Sequence, residues 1–533
     1  MKRQLQAAVG ECAGRGLLIG LVIAVVLLSA LSTASAFPAK SVPQRLLVGV
    51  RPWVASAQVA TELQSKTPAK VSRQLVGGQV LVLDFPPEVS TAEMYARAQA
   101  IPGVDFVEPD LIVYPTLIPD DPEYPKQYHW PLIRAPEGWD LSTGGLGVVI
   151  AFVDTGCDLD HPDLAGRIFV NRGEIPGNGI DDDHNGFVDD VHGWDFYNNN
   201  NDPNPEPDGI DNDANGDPDD QVSHGTLVAG TACATGNNGW GVVGMNWGAS
   251  ILPIQVFPDD GGSSVSRVIE GIDYAVAMGA NIINLSLGGG YAQSFTPAIA
   301  NARAHGILVV AAGGNSGREL RDAQSTWESP VCNDGTLGVD NNVLGVGATD
   351  QNDRLGSFSN FDGSTPRRFI ECCAPGQAIY GPACYDPRYP HLASYFYTNT
   401  GTSFAAPMVS GLAAILMSLH PTWTPDQVRA AILEGCDDID ALNPGFEGKL
   451  GAGRINVART LGVPLPPRPP RDVSAVDTPD DEGGSITVQW LCSLDDGAGS
   501  NSVTEYIVRR RRGTGGGFVE VGRTAHDGYD RPT

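Results

Sequence analysis

The sequence predicts an α/β protein with a three-layer central domain, a mostly parallel sheet flanked by helices. A small α+β unit precedes that domain and part of a β-sandwich follows it. Three observations carry this expectation. From about Thr116 to Gly462, short β-rich apolar runs alternate with helical stretches, the pattern of parallel strands joined by crossover helices and covered on both faces. Before it, Arg45–Tyr114 packs strand and helix signals between Pro/Gly punctuation at Pro86-Pro87 and Pro102-Gly103. After it, a stiff Pro-rich stretch, PLPPRPP, leads into two runs that alternate apolar and polar residues.

Taken in order, residues 1–36 read as a secretory signal peptide. Lys2, Arg3 and Arg15 precede an apolar run from Leu17 to Leu31, and Ala34-Ser35-Ala36 is a small-x-small cleavage site. The run is short for a bilayer span, so no stable membrane span is expected after cleavage. The mature chain is expected outside the cell, free or held at its surface. Residues 37–115 form the α+β unit, with strands at Leu46–Val50, Gln79–Phe85 and Val104–Val107 and helices near Ala57–Leu63 and Thr91–Ala100. Residues 116–463 hold strands at Val148–Val153, Ile251–Phe257, Ile282–Leu287, Ile307–Ala312 and Val343–Gly347, with helices at Ser266–Met278, Phe295–His305 and Phe404–Leu419. Residues 464–471 are a linker. In 472–533 the runs Ser485–Trp490 and Thr504–Arg509 read as half-buried strands, too few for a full sandwich, so this domain is expected to be incomplete.

Composition narrows the function. Against 34 Lys and Arg stand 63 Asp and Glu, a net charge of −29, which excludes a nucleic-acid binder. Fourteen of the acids fall between Asn178 and Asp220, a stretch without Lys or Arg. Such a block either repels itself or is neutralised by a cation. Eight cysteines follow the leader (Cys157, Cys233, Cys332, Cys372, Cys373, Cys384, Cys436 and Cys492). In an oxidising compartment some are expected to form disulfide bonds.

Three short motifs concentrate the chemistry. An apolar strand ends in Asp154-Thr155-Gly156, His224 opens a small-residue helix in SHGTLVAG, and Ser403 precedes a long helix in GTSFAAP. Alone, each residue suits a cap or a structural role. Together they supply a nucleophile, a base and a base-orienting acid, as acyl transfer requires. The order Asp…His…Ser and the sequences DTG, SHGT and GTSFAAP resemble those of the subtilisin-like serine proteases, the subtilases. The resemblance implies a protease made as a zymogen, with Ser403 as nucleophile, His224 as general base and acid, and Asp154 fixing the imidazole. It places Asn315, in VVAAGGNSG, as the oxyanion donor.

The same resemblance implies protein or peptide substrates. A primary pocket would be lined by Ser286, Leu287, Gly288 and Gly289 on one side and Ala311, Ala312 and Gly313 on the other, with Gly261 on the edge that pairs with an extended peptide. Glycine walls leave room for apolar or aromatic side chains. It also makes residues 37–115 a propeptide, an intramolecular inhibitor whose tail, GVDFVEPDLIVYP, occupies the cleft until cut. The C-terminal segment resembles fibronectin type III, with Trp490 and Tyr506 as core aromatics. Two other readings stand beside the protease: a catalytically silent, calcium-dependent adhesion protein on the same scaffold, and an esterase using the same triad. The intact four-residue set opposes the first, and the peptide-pairing edge opposes the second.

The acidic block is a duplication. GIDDDHNGFVDD from Gly179 and GIDNDANGDPDD from Gly209 share one skeleton. Acids or Asn at alternate positions, then Gly, then paired Asp, match what Ca²⁺ requires. The candidate ligands are Asp181, Asp183, Asn185, Asp189 and Asp190, then Asp211, Asp213, Asn215, Asp219 and Asp220. The acidic twelfth position of an EF-hand is missing, since His192 and Val222 stand there. The block therefore resembles the calcium-loop insertions that some subtilases carry between the catalytic Asp and His. A third structural calcium site, implied by resemblance alone, would use Asp163, Asn238 and carbonyls of the Asn237–Val242 loop.

Overall fold

The structure is a computed structural model that describes residues 41–111, 117–321, 324–334, 342–363 and 368–463, together with strands Arg3–Ala8, Val22–Leu28, Arg471–Asp477, Ser485–Leu491, Glu505–Arg511 and Val519–Ala525. The cleavage motif Ala34-Ser35-Ala36, the Pro-rich linker, Tyr114-Pro115 and Cys492 lie outside the described residues.

Thr116–Val463 is one compact unit. Its sheet has seven strands: β1 (Val149–Asp154), β2 (Trp194–Asp195), β3 (Ser250–Gln255), β4 (Ile282–Leu285), β5 (Leu308–Ala312), β6 (Val343–Thr349) and β7 (Cys372–Pro375). They lie in the order β7-β6-β5-β4-β1-β3-β2 and every pairing is parallel. Successive side chains alternate between two cores, as a pleated strand requires. Ile150 and Phe152 face a layer containing α1 (His224–Cys233) and α4 (Thr402–Leu419). Ala151 and Val153 face α2 (Val265–Ala277) and α3 (Phe295–Ala304). The apolar α4 is therefore a core helix, which explains a composition that would also suit a membrane.

The other unit comprises residues 1–115 and 464–533. Residues 41–111 form a four-stranded antiparallel sheet in the order Lys70–Leu75, Val80–Asp84, Ser41–Val50, Val104–Leu111, with helices Ser56–Lys66 and Thr91–Gln99 over a core of Leu46, Val48, Leu63, Leu81, Leu83 and Met94. The βαββαβ order includes a strand, Lys70–Leu75, that the sequence did not signal. It is an edge strand whose side chains are mostly exposed, so no hydrophobic alternation marks it. The expected C-terminal strands occur as Ser485–Leu491 and Glu505–Arg511 but fall in two separate sheets. The first is completed by Arg3–Ala8 and Arg471–Asp477, the second by Val22–Leu28 and Val519–Ala525.

The expectation of disulfides is corrected among the described residues. All seven described cysteines are buried and no disulfide bond joins any two of them, although the thiols of Cys372 and Cys436 are hydrogen-bonded. Burial pushes the thiols of Cys157, Cys233 and Cys373 up, so they sit as protonated, core-packing groups.

Candidate active site

Asp154 ends β1 at the carboxyl edge of the sheet, where parallel folds open a crevice. The DTG and SHGT motifs interlock there. Gly225 N–H donates to Thr155 Oγ1 at 2.9 Å and Asp158 N–H to Thr226 Oγ1 at 3.0 Å. A Cβ on Gly225 would stand 2.0 Å from the Gly156 carbonyl oxygen, so this approach of helix to strand end requires glycine. The contact sets His224 Nδ1 at 2.7 Å from Asp154 Oδ1, which also accepts from Thr155 N–H at 2.8 Å. Burial pulls the imidazole pKa down, but the charge and hydrogen bond of Asp154 together outweigh it and the net shift is upward. With Nδ1 bonded to the carboxylate, Nε2 is left as the basic nitrogen.

Ser403 is the second residue of α4. Four residues on, Pro407 lies inside the helix and has no N–H, so the Ser403 carbonyl loses its intrahelical donor. Ser286 supplies one: its Oγ donates to that carbonyl at 2.6 Å, and Ser403 Oγ donates to the Ser286 carbonyl at 3.1 Å. This reciprocal pair pins the start of α4 to the segment leaving β4. Asn315 is oriented from the same helix end. Its Oδ1 accepts Thr402 N–H and Thr402 Oγ1–H, both at 2.9 Å, which assigns the amide and turns Nδ2 away as the remaining donor. Preceding it, Gly314 has φ +97° and a Cβ there would stand 2.0 Å from Glu328 Oε2.

Two adjoining cavities share Ser403, Asn315, Leu287 and Gly288. One, of about 340 Å³, brings in Asp154, His224, Ser286, Gln221 and Phe257. The other, of about 360 Å³, is walled by Gly289, Gly290, Ala312 and Gly314, with Glu328 and Arg318 also in its lining. Glu328 is buried and paired with Arg318, and it also accepts from Ser316 and Asn360. Neither residue carried a sequence signal: Arg318 directly follows VVAAGGNSG without being part of it, and Glu328 reaches the site only through the tertiary fold. Of the expected pocket residues, Ala311 points into the opposite core, as strand alternation dictates next to Ala312. Gly313 is held to the Val346 carbonyl, and Gly261 lies outside both linings.

The acidic repeats fold as near copies. His184 and Ala214 take φ +61°, Asp189 and Asp219 φ +57° and +52°. Asp181 and Asp211 each accept two backbone N–H groups across the turn, from Asn185 and Gly186 and from Asn215 and Gly216. Asp189 and Asp219 brace the loop entries, accepting from Asn178 and Gly179 N–H and from Asp208 and Gly209 N–H. Two acids outside the repeat join the clusters. One oxygen each of Glu174, Asp183 and Asp190 lies within 4.8 Å of the others, and likewise for Asp211, Asp213 and Asp260. The donors are hard oxygens, as Ca²⁺ prefers. Asp260 Oδ1 is buried without a hydrogen-bond partner, which fits a cation. At the third place, Asp163 accepts from Asn238 Nδ2 at 3.0 Å and Val242 N–H at 2.8 Å, and the buried Asp121 accepts from Asn237 N–H at 2.8 Å. Burial pushes Asp163 up to about 7, a penalty that a bound cation would relieve.

Comparison with known proteins agrees with this architecture. Residues 145–453 match the subtilase family of peptidases, and residues 31–110 match the fervidolysin N-terminal prodomain. The chain is 33% identical over 402 residues to the extracellular basic protease of Dichelobacter nodosus, covering 69% of this chain and 61% of that protein. It is 32% identical over 345 residues to thermitase of Thermoactinomyces vulgaris, covering 64% of this chain and 99% of thermitase. Among solved structures, a protease from Pseudoalteromonas arctica superposes with a TM-score of 0.50 at 25% identity, covering 64% of this chain and 98% of that one.

Proposed function

Because the chain belongs to the subtilase family and is a subtilisin-like serine endopeptidase, we propose that it cuts peptide bonds through Ser403, His224 and Asp154 by way of an acyl-enzyme. The observation that carries this reading is the 2.7 Å bond between Asp154 and His224 Nδ1 beside a cavity that Ser403 also lines. Ser403 Oγ attacks the scissile carbonyl and its proton passes to His224 Nε2. Asp154 stabilises the imidazolium without taking the proton. His224 then gives that proton to the leaving amine, and water repeats the sequence to free the acid.

Asn315 Nδ2 is the donor for the oxyanion. Since it acts on charge present only in the transition state, Asn315→Ala is expected to lower kcat about 10²–10³-fold, the loss known for such a donor in a subtilisin. KM should stay nearly unchanged. Steady-state kinetics on a chromogenic peptide check this, and an equal loss in peptide affinity contradicts the role.

The enzyme is secreted behind residues 1–36, whose removal takes strands Arg3–Ala8 and Val22–Leu28 from the two C-terminal sheets, and residues 37–115 are its propeptide and inhibitor. Extended peptides pair with the Gly261 edge. Their primary side chain enters the glycine-walled cavity, where the Glu328 charge is neutralised by Arg318, which keeps apolar side chains admissible. Calcium is structural. It would be held by Glu174, Asp183, Asn185 and Asp190 in the first loop, by Asp211, Asp213, Asn215, Asp220 and Asp260 in the second, and by Asp163 and Asn238 at the third place. Casein zymography tests the activity: a clearing band at the mature mass that an irreversible serine-hydrolase inhibitor removes is expected. A chain that leaves casein uncut with its propeptide removed contradicts it.

A further inference from the structure

The two acidic loops share a backbone and differ in what they are fastened to. In the first, Glu174 Oε1 accepts from Asp182 and Asp183 N–H at 2.8 and 3.1 Å, and Asp190 Oδ2 accepts the Tyr274 hydroxyl at 2.6 Å. Glu174 precedes the loop and Tyr274 belongs to α2, so the first cluster ties the insertion to the body of the domain. In the second, Asp260 takes the place of Glu174: its Oδ2 accepts from Asn212 and Asp213 N–H at 2.6 and 3.3 Å. Asp260 belongs to the segment that leaves β3, immediately before Gly261.

Asp260 is only 5% exposed, and its Oδ1 is buried without a hydrogen-bond partner. One of its oxygens lies within 4.8 Å of oxygens of both Asp211 and Asp213. Carboxylates held this close repel one another, and a buried oxygen without a donor asks for a positive charge. The same segment reaches the cleft. The Asp259 carbonyl accepts Gln221 N–H at 3.1 Å, and the Gln221 carbonyl accepts His224 N–H at 2.9 Å. Gln221 and Phe257 line the cavity with Ser403. Beyond Asp260, a Cβ on Gly261 would face Asp213 Cβ at 3.6 Å.

We propose that Ca²⁺ in the second loop, completed by Asp260, fixes the substrate edge at Gly261, so that occupancy of this one site sets the affinity for extended peptides. The first loop's ion acts on stability. Asp260 is a positioning residue and touches no reacting atom. The inference rests on the calcium reading of the loops and on Gly261 as the peptide-pairing edge.

The test compares wild type, Asp260→Asn and Glu174→Gln in the full secreted chain. Ions bound are counted by equilibrium dialysis against Ca²⁺ alone in the Ser403→Ala background. KM and kcat are read on the active enzyme at a calcium level between the affinities of wild type and variant. Loss of a ligand or its support weakens such a site about 10–100-fold, so each variant should bind one ion fewer than wild type. Asp260→Asn should raise KM for a peptide of several residues about tenfold, with kcat and the hydrolysis of a single-residue ester little changed. Saturating calcium should restore KM. Glu174→Gln should lower the melting temperature and leave KM near the wild-type value. Should Asp260→Asn fail to fold, Asp213→Asn, an exposed member of the same cluster, must give the same KM shift. A full ion count in these second-loop variants, or a lost ion with KM unmoved, overturns the inference. A wild-type chain that binds no calcium in either loop overturns the calcium reading beneath it.

Discussion

Ser403→Ala is expected to lower peptide hydrolysis about a million-fold, the loss known for a subtilisin deprived of its triad serine. The fold should survive, because Ala keeps the helix and the Ser403 carbonyl keeps its bond from Ser286 Oγ. Only the reverse bond, from Ser403 Oγ to the Ser286 carbonyl, is lost. The same change should leave the precursor uncut, since the site that cleaves substrates is expected to release its own propeptide. Intact-mass measurement after expression in a protease-deficient host reads the processing, and peptide hydrolysis by the purified chain reads the turnover. A mature-length Ser403→Ala chain from such a host contradicts self-processing, while residual turnover near wild type contradicts the nucleophile.

Calcium removal carries the second large effect. The two acidic loops lie between Asp154 and His224 in the chain, and the second is joined to the cleft through Gln221. Without a cation, fourteen acids face no Lys or Arg within Asn178–Asp220, and the clusters should fluctuate. An ion that binds only the folded loops stabilises by about 2.7 kcal/mol per site at 100 times its dissociation constant. Two such sites should shift the melting temperature of a domain this size by about 5–10 °C. Thermal unfolding of the Ser403→Ala protein with calcium and with chelator measures this free of autolysis. Asp183→Asn and Asp213→Asn combined should lower the midpoint in calcium-replete buffer by the share of the chelator's effect that the two loops carry, leaving only the third place to respond to chelator. Equal midpoints in the two buffers contradict a structural role for calcium.

What was legible in the sequence was what local chemistry dictates. Asp154 is marked by an apolar strand that stops at an acid, and Ser403 by a small-residue helix start. Thr155 and Gly225 keep their motif company because the two backbones touch. The repeat was visible because each turn is built from its own residues, Asp181 to Gly186 and Asp211 to Gly216. Glu174 and Asp260 were not, because each becomes part of its cluster only when the tertiary fold brings an acid from outside the repeat onto the loop's N–H groups. Asp189 and Asp219 sit at positive φ with their carboxylates turned to the loop entry, an orientation that the repeat's spacing alone does not reveal. Lys70–Leu75 was missed because an exposed edge strand need not alternate. The cysteines misled because the expected compartment predicts pairing, whereas the fold places them in its interior as packing groups.

The most direct measurement of the central claim is the site of an irreversible serine-hydrolase inhibitor's adduct, mapped by peptide mass spectrometry and followed against casein hydrolysis. One adduct per chain on Ser403, forming in step with loss of activity and suppressed in His224→Ala, is the predicted result. Adduct on a different residue, or casein hydrolysis that persists with Ser403 fully modified, would contradict it.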